Sequence, residues 1–174
     1  MVNKNLIYIV DDVQMQRELL ADHLKGQMPN YEIHCFTTGE ECIAASKVRP
    51  AEIIFLDYNL SSQVQNAMDG IEALQELKTV SPQTEVVMIS GQDKIEVAVN
   101  TIKHGAFDYI VKGEGAFVRA EKVVFNIYRY QKLTATANRY KTLMILFGIG
   151  MLLMVILVIY LQNNGYIRNS PGWY

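Results

Sequence analysis

The sequence IIFLD at residues 53–57, four apolar residues ending on an aspartate, constrains the fold of this chain more than any other stretch. Its apolar residues do not alternate with polar ones. The strand that they predict must therefore be covered on both faces, as in the centre of a parallel sheet. Open sheets of parallel strands and helices place their ligands at the carboxyl ends of their strands. Asp57 is therefore predicted to lie at the mouth of any functional site.

Three further apolar runs end in the same way, on a carboxylate, a hydroxyl or an ammonium group. Each of these side chains taken alone has an ordinary explanation, as a solvated strand end, a turn residue or a surface charge. Their recurrence at successive strand ends predicts that they meet at one edge of one sheet. The runs are residues 6–10 before Asp11 and Asp12, residues 86–89 before Ser90, and residues 109–111 before Lys112.

Apolar runs alternate with amphipathic stretches up to about residue 132, which predicts an α/β fold with a parallel sheet and helices on both faces. Five strands and five helices are predicted, and the alternating strand at residues 31–36 is expected at the sheet edge. The first and fourth helices should each bury one apolar stripe, and Asp93 should cap the fourth with Glu96 at the matching position. The predicted stripes are Met15, Leu19, Leu20 and Leu24 in the first helix, and Ile95, Ala98, Val99 and Ile102 in the fourth.

Charge and cysteine content argue against nucleic-acid binding and against a disulfide or a cysteine metal site. The net charge is −2, and the first 110 residues lack a stripe of lysine and arginine with interleaved aromatic residues, so nucleic acid is not an expected partner. Cys35 and Cys42, the only cysteines, fall in a predicted strand and a predicted helix. This placement favours two small buried residues over a disulfide or a metal site.

Hydrophobic residues make up 50% of the chain, and the excess is concentrated in residues 143–161, which contain no charge. As a helix this run is about 28 Å long, which matches a hydrocarbon core of roughly 30 Å. It has no polar face over about five turns, which favours a transmembrane helix over a buried core helix. The predicted segments are a folded domain (1–132), a basic juxtamembrane linker that we expect to be helical (133–141), a transmembrane helix (142–162) and a short extracytoplasmic tail (163–174).

Basic residues flank this run mainly on its N-terminal side, with only Arg168 beyond it. The positive-inside rule then places the folded domain in the cytoplasm and the tail outside. The same residues could be a contact for anionic membrane lipid, although an ordinary positive-inside flank is the simpler explanation. The flanking residues are Arg129, Lys132, Arg139 and Lys141.

The predicted edge of the sheet brings together three carboxylates, those of Asp11, Asp12 and Asp57, which is unfavourable unless a cation neutralises them. Hard oxygen ligands in this number favour Mg²⁺ over zinc. A carboxylate beside Mg²⁺ can attack a phosphoryl group and form an acyl phosphate. Lys112 would then supply a fixed positive charge, and Ser90 a hydrogen bond, to the phosphoryl oxygens.

With these motifs in this order, residues 4–132 resemble the receiver domain of response regulators in two-component signalling. The resemblance is carried by the acidic pair after the first strand, the aspartate after the third, Ser-Gly at 90–91 and GAFDYIVK at 105–112. It implies a flavodoxin-like, doubly wound, five-stranded sheet of order 2-1-3-4-5. It also implies that Asp57 accepts a phosphoryl group from a histidine kinase or a phosphotransfer protein.

The resemblance further implies a role for each residue of the site. Asp11 and Asp12 would hold Mg²⁺ together with Asp57 and the backbone carbonyl of Asn59, while Ser90 and Lys112 would bind the phosphoryl group. Tyr109 would be an aromatic switch that turns inward when Ser90 moves, although a half-buried strand aromatic explains it equally well. Two features depart from the family pattern, namely Gly113 where a proline is usual and a longer loop at residues 58–68.

The leading hypothesis is a membrane-anchored, single-domain response regulator in the inner or plasma membrane of a bacterium. It would not be an enzyme beyond phosphorylation and slow dephosphorylation of its own aspartate. No DNA-binding domain is expected after residue 132, so output would pass through an unknown downstream protein, such as a membrane protein, or through a homodimer. One alternative is a receiver-like docking module at the membrane that works without phosphorylation. Another is a Mg²⁺-dependent phosphohydrolase of the haloacid-dehalogenase type, which needs a second aspartate where Asn59 stands.

Overall fold

The computed structural model describes residues 5–60 and 68–164, and the side chains of all of these except 134–139 and 142. The chain divides into two compact units, residues 1–127 and 128–174, and each is described by itself. The strands are β1 (Asn5–Val10), β2 (Tyr31–Phe36), β3 (Ile53–Asp57), β4 (Glu85–Ser90) and β5 (Asp108–Val111). The helices are α1 (Gln14–Gln27), α2 (Gly39–Val48), α3 (Gly70–Val80), α4 (Ile95–Lys103) and α5 (Ala116–Asn163).

The five strands form one parallel sheet of order β2-β1-β3-β4-β5, which confirms the predicted α/β fold and its strand order. All five residues of β3 are buried, as its continuous apolar sequence predicts. Ile54 and Leu56 pack on one side with α2 and α3, while Ile53 and Phe55 pack on the other side with α1 and α5. The predicted site residues after β1 and β3 therefore project from the most deeply buried part of the sheet.

Helix α3 begins with a complete capping box. The Asp69 side chain accepts hydrogen bonds from the backbone N–H groups of Ile71 and Glu72, and the Glu72 side chain accepts one from the Asp69 N–H. Three N–H groups around this helix end, which have no partner inside the helix, are thereby satisfied. The helix that follows β3 thus starts at a fixed position.

Replacing Asp69 by alanine should destabilise the protein by about 1 kcal/mol, because the capping hydrogen bonds are lost. Thermal or urea unfolding measures the change. Asp93→Ala is the matched control, because α4 is capped by Lys94 without any side-chain hydrogen bond. Equal losses in the two variants would contradict the role assigned to the capping box.

Helix α1 buries a narrower stripe than its sequence predicts. Leu20 and Leu24 are buried as predicted, together with Ala21. Met15 and Leu19, which were predicted to share that stripe, are 70% and 51% exposed. The buried positions follow the i, i+1, i+4 spacing of a single helix face, and Met15 and Leu19 lie to one side of it.

Helix α4 differs more strongly from its prediction. Of its nine residues only Thr101 is fully buried, and its hydroxyl donates to the Ala98 carbonyl oxygen. Ile95, Val99 and Ile102 are exposed, and Ala98 is half-buried. The prediction that Asp93 caps this helix was also wrong, because Lys94 occupies the cap position. The helix therefore rests on small and polar side chains and leaves its aliphatic stripe open to solvent.

The cysteines are both free, but only one of them is buried as predicted. Cys42 is fully buried in α2, and burial raises the pKa of its thiol to about 12. Cys35 is exposed, because it lies on the edge strand β2. The prediction that Cys35 is buried was therefore wrong.

The second unit contains an apolar helical segment, Leu143–Asn163, that is long enough to cross a membrane and has no residue buried within the unit's own described structure. It belongs to α5, which also includes the predicted linker at 133–141. Length and composition alone support a membrane role for this segment. Most of the predicted tail, residues 165–174, and most of the long loop after β3, residues 61–67, lie outside the described residues.

Candidate functional site

Three aspartates meet at the carboxyl edge of the sheet, as the sequence predicts. Asp57 ends β3 and is only 3% exposed, while Asp11 and Asp12 follow β1, the neighbouring strand. One carboxylate oxygen from each lies within 4.8 Å of the other two. Such close like charges destabilise one another unless cationic groups or hydrogen bonds compensate them.

Asp11 is held in place by the start of α1. Its Oδ1 accepts a hydrogen bond of 2.9 Å from the Val13 backbone N–H, and its own N–H donates to the Phe36 carbonyl oxygen. The Arg17 guanidinium, one turn into the helix, donates to the Asp11 carbonyl oxygen. The Val13 N–H therefore orients the carboxylate, while Phe36 and Arg17 hold the Asp11 backbone.

Lys112 joins the carboxylates across the sheet. It follows β5, and its backbone N–H donates to the Ser90 carbonyl oxygen at 2.7 Å. Its Nζ lies 2.9 Å from Asp11 Oδ2 and 3.0 Å from Asp57 Oδ2. One ammonium group therefore partly compensates two buried carboxylates, one from each side of the site.

Burial and charge act in opposite directions on the two ends of this ion pair. Burial raises the pKa of the Asp57 carboxyl, and the nearby Asp11 charge raises it further, while Lys112 opposes both effects. For Lys112, burial lowers the pKa, but the hydrogen bond to Asp11 and the charge of Asp57 outweigh it and raise the value overall. Lys112 therefore stays protonated, and a further positive charge near Asp57 would stabilise its ionised carboxylate.

The donor atoms also fit a divalent metal ion. The Asp57 Oδ1 atom is buried and has no hydrogen-bond partner among the described residues, although Oδ2 is paired with Lys112. With Asp11 and Asp12 beside it, the set consists of carboxylate oxygens only. Mg²⁺ prefers such ligands and keeps several waters, so a site open to solvent on one side suits it. Asn59, whose backbone carbonyl was predicted as a further ligand, lies two residues after Asp57.

Ser90, Gln92 and Tyr109 form a hydrogen-bonded group next to the carboxylates. The fully buried Ser90 hydroxyl accepts from the Gln92 N–H at 3.1 Å, and the half-buried Tyr109 hydroxyl donates to the Gln92 carbonyl oxygen at 2.7 Å. The Gln92 side chain reaches the Asn59 side chain at 3.4 Å. The structure thus brings the predicted residues Ser90 and Tyr109 together through the backbone of Gln92.

Gly70 contributes to the site, although no role was predicted for it from the sequence. A Cβ atom built on Gly70 would lie 2.6 Å from the Tyr58 carbonyl oxygen and closer still to that of Asp57. Only glycine lets the start of α3 approach the end of β3 this closely. The signal in the sequence is a glycine at the first position of a helix that follows a buried strand.

Gly113 departs from the expected backbone path. Its φ of +145° is a conformation that glycine adopts readily, whereas the ring of a proline fixes φ near −65°. The backbone at Gly113 therefore has a conformation that a proline could not adopt. Lys112 nevertheless reaches both Asp11 and Asp57, so its position depends on these two ion pairs.

Comparisons with known proteins agree with this geometry. The sequence profile of the family described as response regulator receiver domain matches residues 7–118. The chain is 37% identical over 106 residues to the nitrogen assimilation regulatory protein NtrX of Azorhizobium caulinodans, covering 61% of this chain and 22% of the relative. It is 30% identical over 108 residues to the regulatory protein AtoC of Escherichia coli, covering 62% of this chain and 22% of that protein. The chain thus spans about a fifth of the length of these curated relatives.

A solved structure shows the same fold. The crystal structure of the receiver domain of NtrX from Brucella abortus superposes with a TM-score of 0.63 at 34% sequence identity, covering 70% of this chain and 96% of that one. The profile match covers most of the chain and includes Asp11, Asp57 and Lys112. The chain therefore belongs to the response regulator receiver domain family.

Proposed function

We propose that this protein is a membrane-anchored response regulator that accepts a phosphoryl group on Asp57 from a histidine kinase or a phosphotransfer protein. The observation that supports this most directly is the geometry around Asp57. Its carboxylate is almost fully buried at the end of the central strand, with Lys112 3.0 Å away and two further carboxylates within reach of a shared cation. The proposed reactions are phosphorylation and slow dephosphorylation of Asp57 itself, and we propose no reaction on an external substrate.

In the proposed reaction, a carboxylate oxygen of Asp57 attacks the phosphorus atom of the donor and forms an acyl phosphate. The bond from phosphorus to the donor breaks, and the donor group leaves with the electron pair. Lys112 would pair with one phosphoryl oxygen, and the Ser90 hydroxyl, whose oxygen accepts from the Gln92 N–H, would donate its hydrogen to another phosphoryl oxygen. The hydroxyl groups of Tyr109 and Ser90 both hydrogen-bond to the Gln92 backbone, so a shift of Ser90 would move the backbone that Tyr109 contacts.

Asp11, Asp12 and Asp57 are the residues that would hold Mg²⁺, with the Asn59 carbonyl as a proposed fourth protein ligand. When bound, the ion would offset the negative charge of the carboxylates and of the incoming phosphoryl group. The Asp11 carboxylate already accepts a hydrogen bond from the Val13 N–H, and Arg17 donates to the Asp11 backbone carbonyl oxygen. The protein's own contribution is therefore a pre-arranged set of oxygen ligands and one fixed ammonium.

Membrane anchoring is supported by the apolar segment Leu143–Asn163. Its flank at residues 129–141 is basic, so we propose a single pass with the receiver domain in the cytoplasm. Output would then pass through contacts with a downstream protein, such as a membrane protein, or with a second copy of the chain. The relatives' own activities belong to proteins about five times longer than the matched region and are not assigned to this chain.

The test uses the full chain in detergent micelles with Mg²⁺ and acetyl phosphate, read out by intact-protein mass. The wild type should gain one phosphoryl group, and Asp57→Asn should gain none. Asp22→Asn, a change at an exposed aspartate of α1, is the matched control and should behave as the wild type. A mass gain in Asp57→Asn would show that a residue other than Asp57 accepts the phosphoryl group. No gain in a folded wild type would favour the docking module that works without phosphorylation.

A further inference from the structure

A cavity of about 250 Å³ lies between α1 and α5, beside the carboxylate cluster. Its inner wall is apolar and largely buried, and exposed residues at its mouth, Leu19 and Phe117, show that it reaches the surface. The proposed phosphorylation chemistry does not use this space. The apolar wall consists mainly of Leu20, Ile89, Ile110, Ala116 and Ala120.

The cavity follows from two features of this sequence. The connection from β5 to α5 passes through Gly113 and Gly115, which have no side chains, and no atom of the described residues lies within 4 Å of a Cβ built on Gly113. Helix α5 then contributes two alanines, Ala116 and Ala120, where larger residues would close the gap. Protein interiors are close-packed, so an apolar space of this size next to a functional site is a candidate ligand site.

The inner end of the cavity is polar and carries both signs of charge. Asp11 and Lys112 line it, and they are paired with each other at 2.9 Å. A ligand head group with a net charge would meet one attractive and one repulsive neighbour there. A hydroxyl group suits this end better, because it can donate to the carboxylate and accept from the ammonium. Gln16 at the rim offers a further amide to such a head group.

We propose that this cavity binds a small neutral amphiphile, with one aromatic ring or branched aliphatic chain and a terminal hydroxyl. The volume suits roughly eight to twelve non-hydrogen atoms, below the range of drug-sized ligands. Occupancy slows phosphorylation of Asp57, because the occupant engages the ammonium of Lys112 that Asp57 also needs. This second statement rests on the proposed function, whereas the binding itself does not.

The binding test uses the full chain in lipid nanodiscs with labelled methyl groups, titrated with 2-phenylethanol and observed by NMR. Saturable shifts are expected at the methyl groups of Leu20, Ile110 and Ala120, with a Kd of about 1 mM. Ile54 and Leu74, in the core on the other face of the sheet, serve as internal controls and should not shift. Phenylacetate and 2-phenylethylammonium, with the same ring and charged heads, should bind at least five times more weakly.

The proposal would be overturned if all three probes bound equally, or if Ile54 and Leu74 shifted as much as the cavity residues. Either result would mean that the probes only partition nonspecifically into apolar regions. Shifts that depend on protein concentration without any probe would show that a second copy covers the cavity, which would also overturn it. Phe117→Ala removes a wall at the exposed mouth and should weaken binding about fivefold, with no large effect on folding. Ala98→Leu on α4, away from the cavity, should leave binding unchanged.

The consequence for Asp57 is measured separately, as the initial rate of mass gain with acetyl phosphate. Saturating 2-phenylethanol should slow the wild type at least threefold and leave Phe117→Ala much less affected. Saturable binding with an unchanged rate would overturn the link to Lys112 while the ligand site stands. A protein that binds the probe but is never phosphorylated would instead show that the proposed function has failed.

Discussion

Replacing Gly70 by alanine is expected to destabilise the protein by at least about 2 kcal/mol and to displace the end of β3. The added methyl group would lie 2.6 Å from the Tyr58 carbonyl oxygen and closer still to that of Asp57. These neighbours are backbone atoms of a buried strand end, so they cannot rotate away as a flexible side chain can. Helix α3 must move instead, together with the loop that carries Asn59. Chemical denaturation measures the loss, and the phosphorylation assay should show a slower reaction at Asp57.

Gly26→Ala is the matched control for this substitution. Gly26 lies near the end of α1 and is not among the glycines with positive φ. Within the described part of the chain, no atom comes within 4 Å of a Cβ built on it. Alanine there should stabilise the helix by up to about 1 kcal/mol, since glycine is the poorer helix former. A similar loss of stability in both variants would mean that the close approach of Gly70 to β3 is not the cause.

Replacing Lys112 by methionine should have the second large effect. The ammonium is paired with both Asp11 and Asp57, and its removal leaves two buried carboxylates without their compensating cation. Breaking a fully buried pair costs roughly 3–5 kcal/mol, and about 2–4 kcal/mol is expected here because the Lys112 side chain is 23% exposed. This loss of stability should be measured in EDTA. It should become smaller when Mg²⁺ is added, because the aspartate cluster without Lys112 is more negative and binds the ion more tightly.

Lys78→Met provides the comparison, because Lys78 has a similarly exposed side chain and also contacts an acidic residue. Its Nζ donates to the Thr84 carbonyl oxygen and lies 3.5 Å from Glu85, far from the aspartate cluster in the sheet register. Mg²⁺ should not restore the stability of this variant. Thermal unfolding of both variants with and without Mg²⁺ decides the matter. Restoration in both, or in neither, would argue against a cation site shared by Lys112 and the aspartates.

The parts of the structure that were predictable from sequence are those where burial is complete. A strand covered on both faces needs apolar residues at every position, so IIFLD at 53–57 has one sensible interpretation. Because parallel strands end at one edge, the polar residues after the apolar runs predicted that Asp11 and Lys112 lie at the same edge of the sheet, and the structure pairs them there. The hydrogen-bond partners of Asp11 were harder to predict from the sequence, because they involve backbone atoms. The Val13 backbone N–H donates to the Asp11 carboxylate, and the Arg17 side chain donates to the Asp11 backbone carbonyl oxygen.

The helices were predicted less well, because an apolar stripe on a helix does not say which neighbour covers it. In α4 the sheet side is taken by Thr101, which satisfies its own hydroxyl within the helix and so can be buried. Ile95, at 79% exposed, was assigned to that side because it is aliphatic. Gly70 was missed for the opposite reason, since a close backbone approach leaves no apolar pattern in the sequence.

The weak anchoring of α4 has a consequence for the dynamics of the domain. Helix α3 is fixed by a capping box and by buried Ala73, Leu74 and Leu77, whereas α4 has no side-chain cap and buries only Thr101. Local opening of α4 therefore costs less free energy than opening of α3, because less apolar surface becomes exposed. We therefore expect α4 to change conformation more readily than the core around α3.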